Sequence, residues 1–441
     1  MRRLKNIIVF FLLLFPIFSY SETVQEYTLK NGLKVLFIED HKVPLATFQI
    51  WYKAGSKDEQ FGKTGISHLL EHMMFKGTHE YGKKEFSSII QRNGGTDNAF
   101  TTKDYTMYFS TLSSDRVGLP IKLEADRMAN LLLDPKEVAA EKNVVMEERR
   151  MRYDDDPQNS LEEEVIATTF KVHPYQWPVI GWMSNIASIE REDLFNYYRT
   201  MYSPDNAFIV LSGDIRPEDA AAMIEKEFGK IPSSGKKKKT DLSMAEPEQR
   251  GEKYIALRKE AEVPYIVMAY HVPSFPHDDS FALDILSSVL SAGKSSRLYK
   301  SLTYEKKLAL SSYADYGGTH KYPFLFSVGA TAAPGSNIED IEKALNEEIE
   351  RMKAELPSEK EVQKAKNQIE AAFVFAQDSN YSRAYYAGIF EMLGDWRLMD
   401  KYLEGIRKVR PEEVQAAARK YLTENNKTVG ILFPTKTGTI K

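Results

Sequence analysis

The chain contains two copies of one unit. Val43-Pro44-Leu-Ala-Thr-Phe-Gln-Ile-Trp51 aligns with Val263-Pro264-Tyr-Ile-Val-Met-Ala-Tyr-His271 at an offset of 220 residues. Tyr202-Ser-Pro-Asp-Asn206-Ala-Phe-Ile-Val-Leu211 aligns with Leu422-Thr-Glu-Asn-Asn426-Lys-Thr-Val-Gly-Ile431 at the same offset. Between them, Val138-Ala-Ala-Glu-Lys142-Asn143 matches Val362-Gln-Lys-Ala-Lys366-Asn367 at 224, as a short loop insertion would give. Distant matches at one offset mark duplication, so the fold must be built twice. The predicted units are residues 22–230 and 254–441. The linker 231–253 carries Pro-Ser-Ser-Gly, four lysines at 236–239 and Glu-Pro-Glu, a solvated composition. Alternating patterns at 26–38, 46–53 and 104–112 predict strands, and helical periodicity marks 67–75, 113–133 and 135–153. The expected class is α+β: two homologous domains, each a mostly antiparallel sheet with helices packed on one face.

The first 21 residues read as an address. Arg2, Arg3 and Lys5 precede an apolar run from Ile7 to Phe18, then Ser19-Tyr20-Ser21. This is the order of a cleavable secretory signal, cut after Ser21. Twelve apolar residues fall short of the roughly 20 that a spanning helix needs. The expected location is therefore the periplasm or the exterior, with no membrane span after cleavage. The chain has no cysteine, which suits an oxidising compartment and excludes a thiol nucleophile, an iron–sulfur cluster or a thiolate metal site. A net charge of −4 argues against a nucleic-acid partner.

The chemistry-bearing residues lie in the first copy. In Gly65-Ile66-Ser67-His68-Leu69-Leu70-Glu71-His72, the two histidines are four apart and share one helical face, with Glu71 beside them. Two such imidazoles suit zinc, and an adjacent carboxylate can act as general base on a water that the metal activates. H-x-x-E-H is the inverted form of a metalloprotease motif. A third ligand is needed. His173 sits in a His-Pro-Tyr loop where a structural role is expected, and His41, His79, His271, His277 and His320 read as surface or packing residues. The acidic candidates are Glu141, Glu147 and Glu148. Glu141 and Glu148 share a face seven residues apart, while Glu147 turns about 100° away. Spacing alone leaves the choice open.

With these residues the chain resembles the pitrilysin/insulinase family of zinc peptidases, in particular the short two-domain branch that includes mitochondrial processing peptidase. The resemblance spans essentially the whole chain after the signal. It implies that Glu148 is the third ligand, that Glu141 supports the site, and that one Zn²⁺ is bound per chain. It also implies that Asn98 and Ala99, with Phe100 beside them, lie on an edge strand that pairs with an extended peptide substrate, a mode that gives affinity without much side-chain selectivity.

The second copy lacks the metal residues. His68, Glu71 and His72 fall on Ser288, Ser291 and Ala292 at offset 220, and Glu148 on Ala372 at 224. Self-sufficient relatives of this kind carry an Arg and a Tyr, seven apart, in this half. Their places are taken by Thr303 and Leu310. Arg297 and Tyr304 are also seven apart but six residues out of register. A missing oxyanion donor costs about 10²–10³ in rate. The sequence thus predicts the zinc-bearing subunit of an endopeptidase whose paralogous, zinc-less partner chain supplies Arg and Tyr, with a homodimer as the other arrangement. The alternatives are a non-catalytic zinc and peptide binder, or a structural assembly protein of the same fold.

Overall fold

A computed structural model describes residues 24–235 and 245–435. The signal sequence and the lysine run lie outside the described residues. The first half holds strands β1 (Val24–Thr28), β2 (Lys34–Glu39), β3 (Leu45–Tyr52), β4 (Thr96–Thr101), β5 (Thr106–Ser113) and β6 (Ala207–Gly213). The second holds β7 (Lys253–Glu260), β8 (Tyr265–Val272), β9 (Ala309–Tyr316), β10 (Phe324–Ala332) and β11 (Lys427–Thr435). The sheet orders are β1-β2-β6-β3-β5-β4 and β7-β11-β8-β10-β9. Pairing is antiparallel except β2 with β6 and β7 with β11. Both strands of each repeat match used to set the 220 offset, β3/β8 and β6/β11, occupy equivalent places. The edge strands β4 and β9 correspond in the same way.

Within each half the predicted helices pack on one face. The other face is covered from the opposite half, which periodicity does not anticipate. Helix Pro157–Thr169 of the first half lies on β7, β11 and β8, and helix Asn380–Leu393 of the second lies on β6 and β3. The fit is close enough to require glycine. A Cβ on Gly388 would sit 2.3 Å from the Trp51 ring, and one on Gly430 would sit 2.3 Å from Val165 Cγ2. Polar contacts lock the exchange: Gln49 Nε2 donates to Tyr381 O at 3.0 Å, Asn380 Nδ2 to Leu45 O at 3.1 Å, and Tyr265 Oη to Glu162 at 2.7 Å. This two-sided cover explains why every residue of β6 is buried, as in a sheet with helices on both faces.

Three expected boundaries move. The span 26–38 is a hairpin, β1 and β2 around a turn at Gly32, whose φ of 91° suits glycine. The helix expected at 113–133 is regular only from Gly118, after a tight turn at Ser114–Arg116. The helix from Pro135 ends at Arg149 and continues as a π-helical turn, Arg150–Asp154, which redirects the chain toward the second sheet.

Candidate metal centre

Helix Ile66–Met73 begins at Gly65, whose φ is 91°. A Cβ there would lie 2.4 Å from Ile180 O, so the turn admits only glycine. The buried Glu59 carboxylate accepts from Gly65 N at 2.8 Å and Ser67 N at 2.9 Å, satisfying donors that a helix start leaves unpaired. Leu69, Leu70 and Met73 enter the core. His68, Glu71 and His72 therefore face the other way, toward helix Pro135–Arg149 and the end of β4.

Three side chains converge there. His72 Nε2 lies 3.4 Å and His68 Nε2 3.8 Å from Glu148 Oε2. One donor atom from each residue lies within 4.8 Å of the others. The second oxygen of Glu148 is held by Arg152 at 3.0 Å. Glu141 does not join the cluster. Its Oε1 accepts from His72 Nδ1 at 2.9 Å, and its other oxygen pairs with Lys76. That bond fixes the His72 tautomer with Nε2 facing Glu148. Glu147 turns outward to pair with Arg150. His68 has no such outer partner: its Nδ1 is buried without one, and its ring packs edge-on against His72 at 4.7 Å.

The electrostatics follow. Burial, then the neighbouring His72, hold His68 down at about 4. Burial also opposes charge on His72, but bonds to Glu141 and Glu148 outweigh it and lift this imidazole to about 9. Its bond to His72 chiefly keeps the Glu148 carboxyl low. Glu71 is pushed up by burial, against a 2.6 Å hydrogen bond donated by Thr101 Oγ1. Two imidazole nitrogens and one carboxylate oxygen converging on one point are the donor set of a three-ligand zinc site, so the residues present fit that ion. The sequence did not single out Thr101, Lys76 or Arg152. Thr101 ends β4, three residues past Asn98 and on the opposite face, and no sequence signal ties it to Glu71.

Asn98, Ala99 and Phe100 lie on β4, an edge of the first sheet. Asn98 Oδ1 accepts from Ala99 N at 2.9 Å. Phe100 turns to the face covered from the second half, 6.0 Å from Tyr385. In the second copy, Thr303 sits in the π-helical turn Tyr299–Glu305 with its hydroxyl buried and unpartnered, and Leu310 on β9 is exposed. Arg297 is committed to Glu361 at 2.8 Å, and Tyr304 is 72% exposed. Ser291 donates to Ala314 O. Among the described residues, the first copy alone holds a metal-type cluster. No described helix is long and apolar enough to cross a membrane.

Residues 34–181 match the family model described as Insulinase (Peptidase family M16), and residues 188–369 match Peptidase M16 inactive domain. The zinc protease PqqE of Helicobacter pylori is 30% identical over 419 residues, 94% of each chain. The mitochondrial-processing peptidase subunit beta of Lentinula edodes is 25% identical over 413 residues, 90% of this chain and 87% of that one. A crystal structure of a protease from Helicobacter pylori superposes with a TM-score of 0.90 at 29% identity, covering 94% of this chain and 100% of that one.

Proposed function

The chain belongs to the insulinase (M16) peptidase family, and on that premise we propose that it is the zinc-bearing subunit of a secreted or periplasmic endopeptidase. The observation that carries this reading is the convergence of His68 Nε2, His72 Nε2 and Glu148 Oε2 with Glu71 buried beside them. These three residues would hold Zn²⁺. The ion supplies Lewis-acid chemistry, acidifying a water and polarising a carbonyl.

The protein's own groups do the rest. The free edge of β4 pairs with an extended peptide, which first displaces Asn98 Oδ1 from the Ala99 N–H. Glu71 takes a proton from the attacking water and delivers it to the departing amine. Thr101 holds the Glu71 carboxyl in place through both transfers. Glu141 keeps Nε2 of His72 turned inward.

Among the described residues of the second copy, no Arg–Tyr pair stands ready. Thr303 and Leu310 occupy those places, and Arg297 is tied to Glu361. This favours a paralogous partner chain that supplies both groups. The test is cleavage of a quenched fluorescent peptide mixture by zinc-loaded residues 22–441, with Glu71→Gln as control. A zinc-loaded chain that gains activity only when the partner is added supports the split site. Robust cleavage by the chain alone, abolished in the control, overturns the partner requirement. Zinc-loaded protein that stays inactive with every paralogous chain overturns the enzyme reading in favour of a peptide binder.

A further inference from the structure

The second copy keeps an opening beside the place equivalent to the candidate metal centre of the first. The centre in the first copy lies between helix Ile66–Met73, the end of β4 and helix Pro135–Arg149. The equivalent elements are helix Asp279–Ser291, the end of β9 and helix Glu359–Ala376. They enclose a cavity of about 260 Å³, closed on its far side by helices Asn380–Leu393 and Leu398–Lys408. Ala372, the counterpart of Glu148, stands at its exposed mouth. Tyr316, at the end of β9 as Thr101 is at the end of β4, forms part of its wall. The remaining walls are mainly apolar and aromatic, Phe373 and Tyr386 among them.

One acidic group faces this space. Asp284 sits one helical turn before Ser288, the counterpart of His68. Tyr402 Oη donates to Asp284 Oδ2 at 2.8 Å. Oδ1 has no protein partner among the described residues. Asp284 is half-buried and its Oδ1 stays open to the cavity, where a donor on a bound molecule can take the place of water. Burial raises this carboxyl to about 6, which leaves it largely ionised at neutral pH. The volume equals that of about nine water molecules in the liquid, which limits a guest to roughly nine non-hydrogen atoms.

We infer that this cavity is a second ligand site, for a small apolar or aromatic molecule bearing one ammonium group that bonds Asp284 Oδ1 while its apolar part fills the aromatic walls. The site is independent of peptide cleavage, so its failure and the failure of the peptidase reading are separable.

The probe is phenethylamine, titrated calorimetrically into the whole chain, with 2-phenylethanol as the uncharged comparison. A hydrogen bond to a charged group predicts binding of the amine about ten- to a hundredfold tighter than of the alcohol. Asp284→Asn keeps the acceptor for Tyr402 but removes the charge, and should erase that difference. Ala372→Phe blocks the mouth from an exposed position, without disturbing the core, and should weaken both probes at least about tenfold. Saturable amine binding that both variants weaken supports the site. No saturable binding overturns it. Equal binding of amine and alcohol, or binding that neither variant alters, also overturns it.

Discussion

Replacing Glu141 with alanine should loosen the metal without unfolding the chain. Glu141 lies on helix Pro135–Arg149, only 7% exposed, with Oε1 2.9 Å from His72 Nδ1. Alanine leaves a buried N–H without an acceptor, which costs about 1–3 kcal/mol. It also removes a negative charge and leaves the Lys76 ammonium unpaired close to a dication. Loss of the outer partner of a metal-bound histidine typically weakens affinity about 10–100-fold, or about 1.4–2.7 kcal/mol, in line with the hydrogen-bond figure. Glu141→Gln keeps a carbonyl acceptor and should stay within about tenfold of the parent. The assay is competition with a chromophoric zinc chelator at one fixed pH, with near-ultraviolet circular dichroism reporting the fold. An alanine variant that is folded and binds zinc as tightly as the parent would refute the reasoning. Core packing, and not the Glu141 bond, would then orient the His72 ring.

Four other outcomes are expected. Thr101→Val removes the donor to Glu71 at almost constant volume, so kcat should fall about tenfold or more with zinc content unchanged, read by steady-state kinetics and metal analysis. Gly388→Ala and Gly430→Ala should each lower stability by about 1–3 kcal/mol, seen in chemical denaturation, because each Cβ meets a wall at 2.3 Å. Chelation of bound zinc should lower the melting temperature. At a thousandfold excess over Kd the ion contributes about 4 kcal/mol, and no change would mean that the native state does not bind it. The buried His173 accepts from Tyr175 N at 3.1 Å and is held by burial at about 4, below the unfolded value near 6.5. Its stabilising contribution is therefore complete above about pH 6.5 and is lost as pH falls toward 4, by at most about 3 kcal/mol. His173→Asn, which offers an acceptor in the same place, should flatten that part of the stability profile.

The site was legible because its residues are local or periodic. His68, Glu71 and His72 fall within five positions of one helix, and the seven-residue spacing of Glu141 and Glu148 put both on one face of another. The choice among Glu141, Glu147 and Glu148 needed the distances, since angular arithmetic separates Glu147 but not the other two. Thr101 stayed hidden because a threonine at a strand end has no spacing rule connecting it to a helix 30 residues earlier. The duplication announced two equivalent sheets. The exchange of helices 157–169 and 380–393 was not announced, because a helical period says which face is apolar and nothing about which sheet receives it. A trace did exist. The unbroken apolar runs Ala207–Leu211 in β6 and Tyr265–Tyr270 in β8 are the mark of strands buried on both sides.

That reciprocal cover determines where motion can occur. Each half holds the other by a helix wedged against its sheet, with Gly388 under the Trp51 ring and Gly430 under Val165. Opening the molecule between its two sheets would have to break both wedges at once, together with the Gln49, Asn380 and Tyr265 bonds. The chain therefore behaves mechanically as one jaw and not as a hinge. Cutting the polypeptide in the linker 231–253 should leave the two pieces clasped, as a swapped dimer would be. On the proposed reading of a zinc-bearing subunit, the gape that admits a substrate then belongs to the contact with the partner chain.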